Sequence, residues 1–314
     1  MAVVLASGLR PLSRGVRVAL RRSARCHWVT AGFSRWRAVD GGSRPRALGL
    51  KSAVRCLSEG SAAAGPGQEL QVRYLEEEES KGIVVFGINR PQSKNAISKK
   101  LVEMITEAIE AVKCDKNVRT VILRSEVPGI FCAGADLKER AKMHPSEVGP
   151  FVSKARNLIN ELGHLPMPTI AVLDGAALGG GLEMALACDI RVAGGTQRLP
   201  RVVGISLAKE LIFSGRVLDG TEAKAIGLVS HVVEQNEAGD AAYQRALALA
   251  KEFILQGPIA VRLAKQAIDR GTEVDLATGL AIEEACYAQV IPTKDRIEGL
   301  TAFKEKRPPR FTGE

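Results

Sequence analysis

The sequence predicts an α/β fold. Short β-branched apolar runs alternate with helix-length amphipathic segments over residues 82–190. Three consecutive glycines, Gly179, Gly180 and Gly181, then carry one such run directly into a helix. The chain has no G-x-G-x-x-G and no Walker loop, so a nucleotide-binding version of the class is disfavoured. No fixed-period repeat is present.

Taken in order, residues 82–90 read as a strand and 91–95 as a turn. Ser98 can cap a helix running to about Cys114, with Leu101, Ile105, Ala108 and Val112 on one face. Residues 119–124 form a second strand. Residues 127–136 read as a loop that leads into a short basic helix over 137–143. A long helix spans 146–165, a strand 168–173 and a helix 179–188. After about Ser206 the pattern is mostly helical, with segments at 207–213, 221–226, 240–255, 259–270 and 274–289.

The 314 residues carry a formal charge of +9, but its distribution matters more than its size. Residues 1–58 hold twelve Lys and Arg and one acid, Asp40. They therefore contribute +11, and the remainder carries −2. An Arg-rich, Ser-containing, acid-poor leader has the composition of a mitochondrial transit peptide, expected over residues 1–57. Arg55-Cys-Leu-Ser58 resembles a processing site, and residues 58–69 read as a flexible lead-in. The alternative for the leader is a basic arm that binds polyanions. The near-neutral remainder argues against nucleic acid as its partner. No apolar run approaches membrane-spanning length, so a membrane is not an expected partner either. The six cysteines form no C-x-x-C pair and have no zinc spacing with the four histidines. Reduced thiols and no metal are expected. Cys132 and Cys188 read as small core residues rather than nucleophiles.

The chemistry concentrates at 170–190. Glycines opening a helix expose backbone N–H groups, which can hold a developing negative charge on a carbonyl oxygen. Glu183 follows at once, among Leu182, Met184, Ala185 and Leu186. A carboxylate in apolar surroundings keeps its proton more readily, which suits acid–base work. The less specific reading is that the glycines only allow close helix–strand packing. A second small-residue loop, Ala133 to Ala135, favours the chemical one.

The chain resembles the crotonase, or enoyl-CoA hydratase/isomerase, family over about residues 70–314. The resemblance rests on Asn89-Arg-Pro91 with Lys94-Asn-Ala96, on Phe131-Cys-Ala-Gly-Ala-Asp-Leu-Lys138, on residues 174–190, on Gly194-Gly-Thr-Gln-Arg-Leu-Pro-Arg201, and on Ala302-Phe-Lys-Glu-Lys-Arg307. It implies a spiral of ββα units over 70–205 and a helical trimerisation region over 206–314, giving a homotrimer or dimer of trimers. It also implies a matrix lyase acting on acyl-CoA thioesters. Its first expected substrate is 3-methylglutaconyl-CoA of leucine breakdown. Coenzyme A is then part of the substrate, and no separate cofactor is expected. By motif position, the Ala135 and Gly180 amides would form the oxyanion hole. Ala133, Asp136 and Leu137 would lie along the adenine and pantetheine. Lys138, and Lys306 from a neighbouring subunit, would meet CoA phosphates.

Two departures qualify that expectation. Hydratases of this family use a second glutamate about twenty residues after the first, which here reaches Val203. No acid occurs between Asp189 and Glu210, and Ala193 runs straight into Gly194. A block carrying the second glutamate is absent, so weak or absent hydration is expected, and an inactive CoA-binding or assembly subunit is the alternative. The junction should also strain the core. A further alternative is AU-rich RNA binding, associated in the family with lysines at four-residue spacing on the first long helix. The matching positions here are Lys99, Glu103 and Glu107, and two acids would repel phosphate.

Overall fold

The structure, a computed structural model, describes residues 68–191, 203–216 and 218–314. The leader with its processing site, the 193–194 junction with the strain expected there, and the 194–201 motif lie outside the described residues.

Among the described residues, seven strands build the spiral: β1 Leu70–Tyr74, β2 Ile83–Ile88, β3 Thr120–Ser125, β4 Gly129–Cys132, β5 Thr169–Ala171, β6 Gly175–Ala177 and β7 Ile190–Arg191. Four helices lie among them: α1 Lys99–Cys114, α2 Leu137–Arg140, α3 Pro145–Gly163 and α4 Gly179–Ala187. β1 pairs antiparallel with β2, and β2, β3, β5 and β7 follow in parallel. β4 and β6 form a separate parallel pair. Each turn therefore sends one strand to each sheet before its helix: β3, β4 and α3, then β5, β6 and α4.

Side-chain alternation divides the core between two faces. All six residues of β2 are buried. Val84, Phe86 and Ile88 join the cluster that holds Leu101, Ile105 and Val112 of α1. Ile83 and Val85 instead meet α7 (Ala241–Ile254) through Ala242, Ala246 and Ala250. The α1 face expected from spacing is buried, and Ser98 Oγ accepts the Leu101 N–H at 2.9 Å as its cap.

β4 and β6 carry no strand signal in the sequence because they are short and each opens on a glycine. β4 lies inside the expected 127–136 loop, and β6 follows β5 after three residues. Their pairing needs glycine. A Cβ on Gly175 would lie 2.2 Å from the Gly129 carbonyl carbon and 2.3 Å from the Ile130 nitrogen. Gly175→Ala is expected to cost about 1–3 kcal/mol or more, because backbone cannot yield as a flexible side chain can. A thermal melt indistinguishable from the parent would contradict this.

The other helices among the described residues are α5 Ile205–Ser214, α6 Gly220–Ala225, α8 Pro258–Gly271, α9 Leu276–Val290 and α10 Lys294–Glu305. α8 and α9 pack on each other where Gly271 and Gly279 meet. Polar groups fasten α8 to the spiral: Arg262 donates to the Val118 carbonyl at 3.1 Å, and Lys265 pairs with Asp189 at 2.7 Å. Leu276, Leu280, Tyr287, Leu300 and Phe303 of this region are exposed. The sequence reading missed β1 and α10, and it placed Glu69 in the lead-in. Glu69 is instead bound into the fold, as its partners show below.

Candidate active site

Gly179, Gly180 and Glu183 are the partly accessible residues of α4, and its other six residues are buried. Gly180 and Glu183 are three apart, so they share one face of the helix. Leu178 at the N-cap supplies no side-chain acceptor. Among the described residues, the Gly180 N–H has no hydrogen-bond acceptor. It therefore stands at the positive end of the helix, one turn before the carboxylate. Glu183 is half-buried: its neighbours in sequence are apolar and buried, but its own position opens outward.

The three glycines have different reasons. Gly179 adopts φ +47°, a left-handed conformation that turns the chain into the helix. Gly180 keeps the amide accessible. Gly181 permits packing, since a Cβ there would sit 2.5 Å from Cys132 Cβ and 2.7 Å from its carbonyl oxygen. The close-packing reading thus holds for Gly181 and in part for Gly180, where a Cβ would lie 3.1 Å from Ile97 Cδ1, while Gly179 serves the turn.

The second loop lies against the first. Gly134, at φ +85°, approaches α4 so closely that a Cβ would be 2.9 Å from the Leu178 oxygen and 3.5 Å from the Gly180 nitrogen. Ala135 follows, and its N–H likewise has no acceptor among the described residues. The peptide holding that amide is therefore brought next to the first turn of α4. Ala133 and Ala135 are half-buried, Leu137 is 74% exposed, and Lys138 is exposed beside them.

Asp136 is engaged within the fold. One carboxylate oxygen accepts the Lys138 and Glu139 amides at 3.1 Å each, capping α2, and the other pairs with Arg90 at 3.2 Å. Burial alone would raise its pKa, but the Glu139 amide and Arg90 outweigh that and hold it below its ordinary value. Lys306 is exposed and left-handed (φ +54°) at the end of α10, remote in sequence from this cluster. Cys132 and Cys188 are buried, and burial pushes both thiols up to about 12, which leaves them inert as nucleophiles.

The sequence reading gave Arg90 and Asn95 no role, although both stand in the motifs that carry the resemblance. Asn95 is 0% exposed, with φ +55°. It donates to Ser125 Oγ at 2.7 Å and to the Phe131 carbonyl at 3.0 Å, which anchors the start of the small-residue loop. A buried Asn inside a turn was the available signal. On α1, Lys99 pairs with Glu147 at 3.2 Å and Glu103 with Lys154 at 3.1 Å. Of the three positions at four-residue spacing, Lys99 is thus paired with an acid of α3, and the acid Glu103 with a lysine of α3.

A spiral of ββα turns followed by a helical region is the architecture that the family resemblance implies, and sequence comparison agrees. The enoyl-CoA hydratase/isomerase family model matches residues 78–195 and 192–314. The chain belongs to that family, a lineage of lyases. It is 68% identical over 265 residues to mouse "Methylglutaconyl-CoA hydratase, mitochondrial", covering 78% of this chain and 84% of that one. It is 54% identical over 277 residues to human "Enoyl-CoA hydratase domain-containing protein 2, mitochondrial", covering 82% and 94%. The crystal structure of an enoyl-CoA hydratase from Bacillus anthracis superposes with a TM-score of 0.72 at 40% identity, covering 79% of this chain and all of that one. The two family segments meet at residues 192–195. The 265 positions matched to the mouse protein exceed the roughly 245 residues in 78% of a 314-residue chain, so about twenty of them have no counterpart here.

Proposed function

We propose that this chain binds an acyl-CoA thioester between the Ala135 and Gly180 amides and hydrates it poorly, because Glu183 is the one acid of a pair that the reaction needs. The observation that carries the reading is the apposition of two amides without an acceptor among the described residues, on loops that touch at Gly134, with Glu183 on the same face of α4 as Gly180. Amides fixed in this way stabilise the enolate-like oxygen formed as water adds to a conjugated thioester. Glu183 guides the water or shuttles the proton. Leu137 offers an apolar wall and Lys138 a phosphate partner, with Lys306 arriving from another copy of the chain in a trimer or dimer of trimers. The exposed apolar residues of α9 and α10 favour such an assembly. Likeness to the methylglutaconyl-CoA hydratases makes 3-methylglutaconyl-CoA the preferred substrate and the mitochondrial matrix the compartment. The leader composition agrees with that location.

The missing positions fall, on this reading, at 193–194, where the family match divides. A second glutamate in that block would account for the full activity of the lineage. The test measures both functions on the purified chain, with the mouse relative alongside. Saturated acyl-CoA binding by calorimetry is expected, with loss of enoyl absorbance at least about a hundredfold slower than for the relative. Equal turnover would overturn the missing-acid reading, and failure to bind any acyl-CoA would overturn the site itself.

A further inference from the structure

We infer that Arg90 is a positioning residue: its guanidinium ties the cap of α1 to the cap of α2 and so sets the aim of the Ala135 amide between them. This deepens the thioester reading above and rests on it.

The Arg90 side chain is 14% exposed and reaches three groups. Its Nε meets Glu69 at 3.0 Å, its Nη2 meets Asp136 at 3.2 Å, and its Nη1 donates to the Ala96 carbonyl. Each acid does a second task. Glu69 accepts the Ser98 hydroxyl at 2.5 Å, and Ser98 caps α1. Asp136 caps α2. A planar fork with five donors can bridge the two acids and a carbonyl together, which a single ammonium cannot.

The loop between those caps carries the candidate amide and is stitched to the turn after Arg90 at three points. The Ala133 N–H donates to the Lys94 carbonyl at 3.0 Å, the Ile97 N–H to the Gly134 carbonyl at 2.7 Å, and the Asp136 N–H to the Ile97 carbonyl at 3.1 Å. The Arg90 N–H in turn donates to Asn95 Oδ1 at 2.7 Å. Ala135 is thus the loop residue whose amide these contacts leave to a ligand, and Arg90 holds the frame from both sides. Loss of the guanidinium would also leave two partly buried carboxylates unpaired, so the frame would shift rather than merely loosen.

A purely structural ion pair would change stability but not the polarisation of a bound carbonyl. The experiment therefore reads the absorbance of a 2,4-dienoyl-CoA probe bound to the full-length protein. Its conjugated thioester shifts to longer wavelength as its carbonyl oxygen accepts strong hydrogen bonds. The parent protein is expected to red-shift the probe. Arg90→Gln, saturated with probe, is expected to lose most of that shift and to bind about tenfold more weakly. Arg90→Lys should restore only part. Asp219→Ala, which removes the cap of α6 and touches neither loop, should lower the melting temperature and keep the shift. A folded Arg90→Gln protein with the full red shift would overturn the inference. Should that variant fail to fold, a folded Arg90→Lys protein with the full shift would overturn it equally. Absence of any shift in the parent would defeat the thioester reading, and this inference with it.

Discussion

Insertion of the relatives' roughly twenty additional residues between Ala193 and Gly194 is expected to raise hydration by about two to four orders of magnitude. The magnitude is that of a positioned acid–base group. The reason is chemical: water must be activated on one side of the double bond while a proton reaches the α-carbon, and one carboxylate cannot serve both places at once. On the proposed reading the parent chain retains both amides for the thioester, so affinity for substrate should change far less than turnover. The measurement is kcat and KM for an enoyl-CoA before and after insertion. A restored chain with a matching insert whose family glutamate is replaced by glutamine separates the acid from the backbone it arrives on. If that glutamine insert restores turnover as fully as the glutamate insert does, the missing-acid account is wrong.

Glu183→Gln should have opposite consequences in the two backgrounds. In the restored chain it is expected to remove about the same two to four orders of magnitude that the insert supplied. In the parent chain it should change turnover little, because groups that act as a unit are strongly non-additive. KM should stay near its starting value in both, since the proposed amide and CoA contacts do not involve the carboxylate. A restored chain indifferent to Glu183→Gln would show that its half-buried position on α4 serves packing alone. Gly180 lies one turn earlier on the same face, so the variant leaves the amide in place and tests the carboxylate by itself.

The legible parts of the fold were those whose signal is local. The face of α1 follows from Leu101, Ile105, Ala108 and Val112 at helical spacing, and its start from the Ser98 hydroxyl. The glycine run fixed the start of α4, and the apolar residues around Glu183 fixed its burial. β4 and β6 were not legible. They are four and three residues long, and they exist because Gly129 and Gly175 meet across 46 positions of chain. β1 is largely exposed outside Leu70, so its strand carries little hydrophobic pattern. α10 points Ile297, Leu300 and Phe303 outward among charged residues, which hides its period.

The same division runs through the candidate site. Residue type and order alone determined the α/β class, the family, the glycine loops, Glu183 and the missing block, because each is written in consecutive residues or in their count. Only the tertiary structure decided that Asp136 turns inward to cap α2, that Gly181 serves packing while Gly180 leaves an amide open, and that Arg90 joins Glu69 to Asp136. Those outcomes depend on which distant backbone lies within a few ångströms. Hydrogen bonds and excluded volume act only at that range, whereas periodicity along the chain is visible without it.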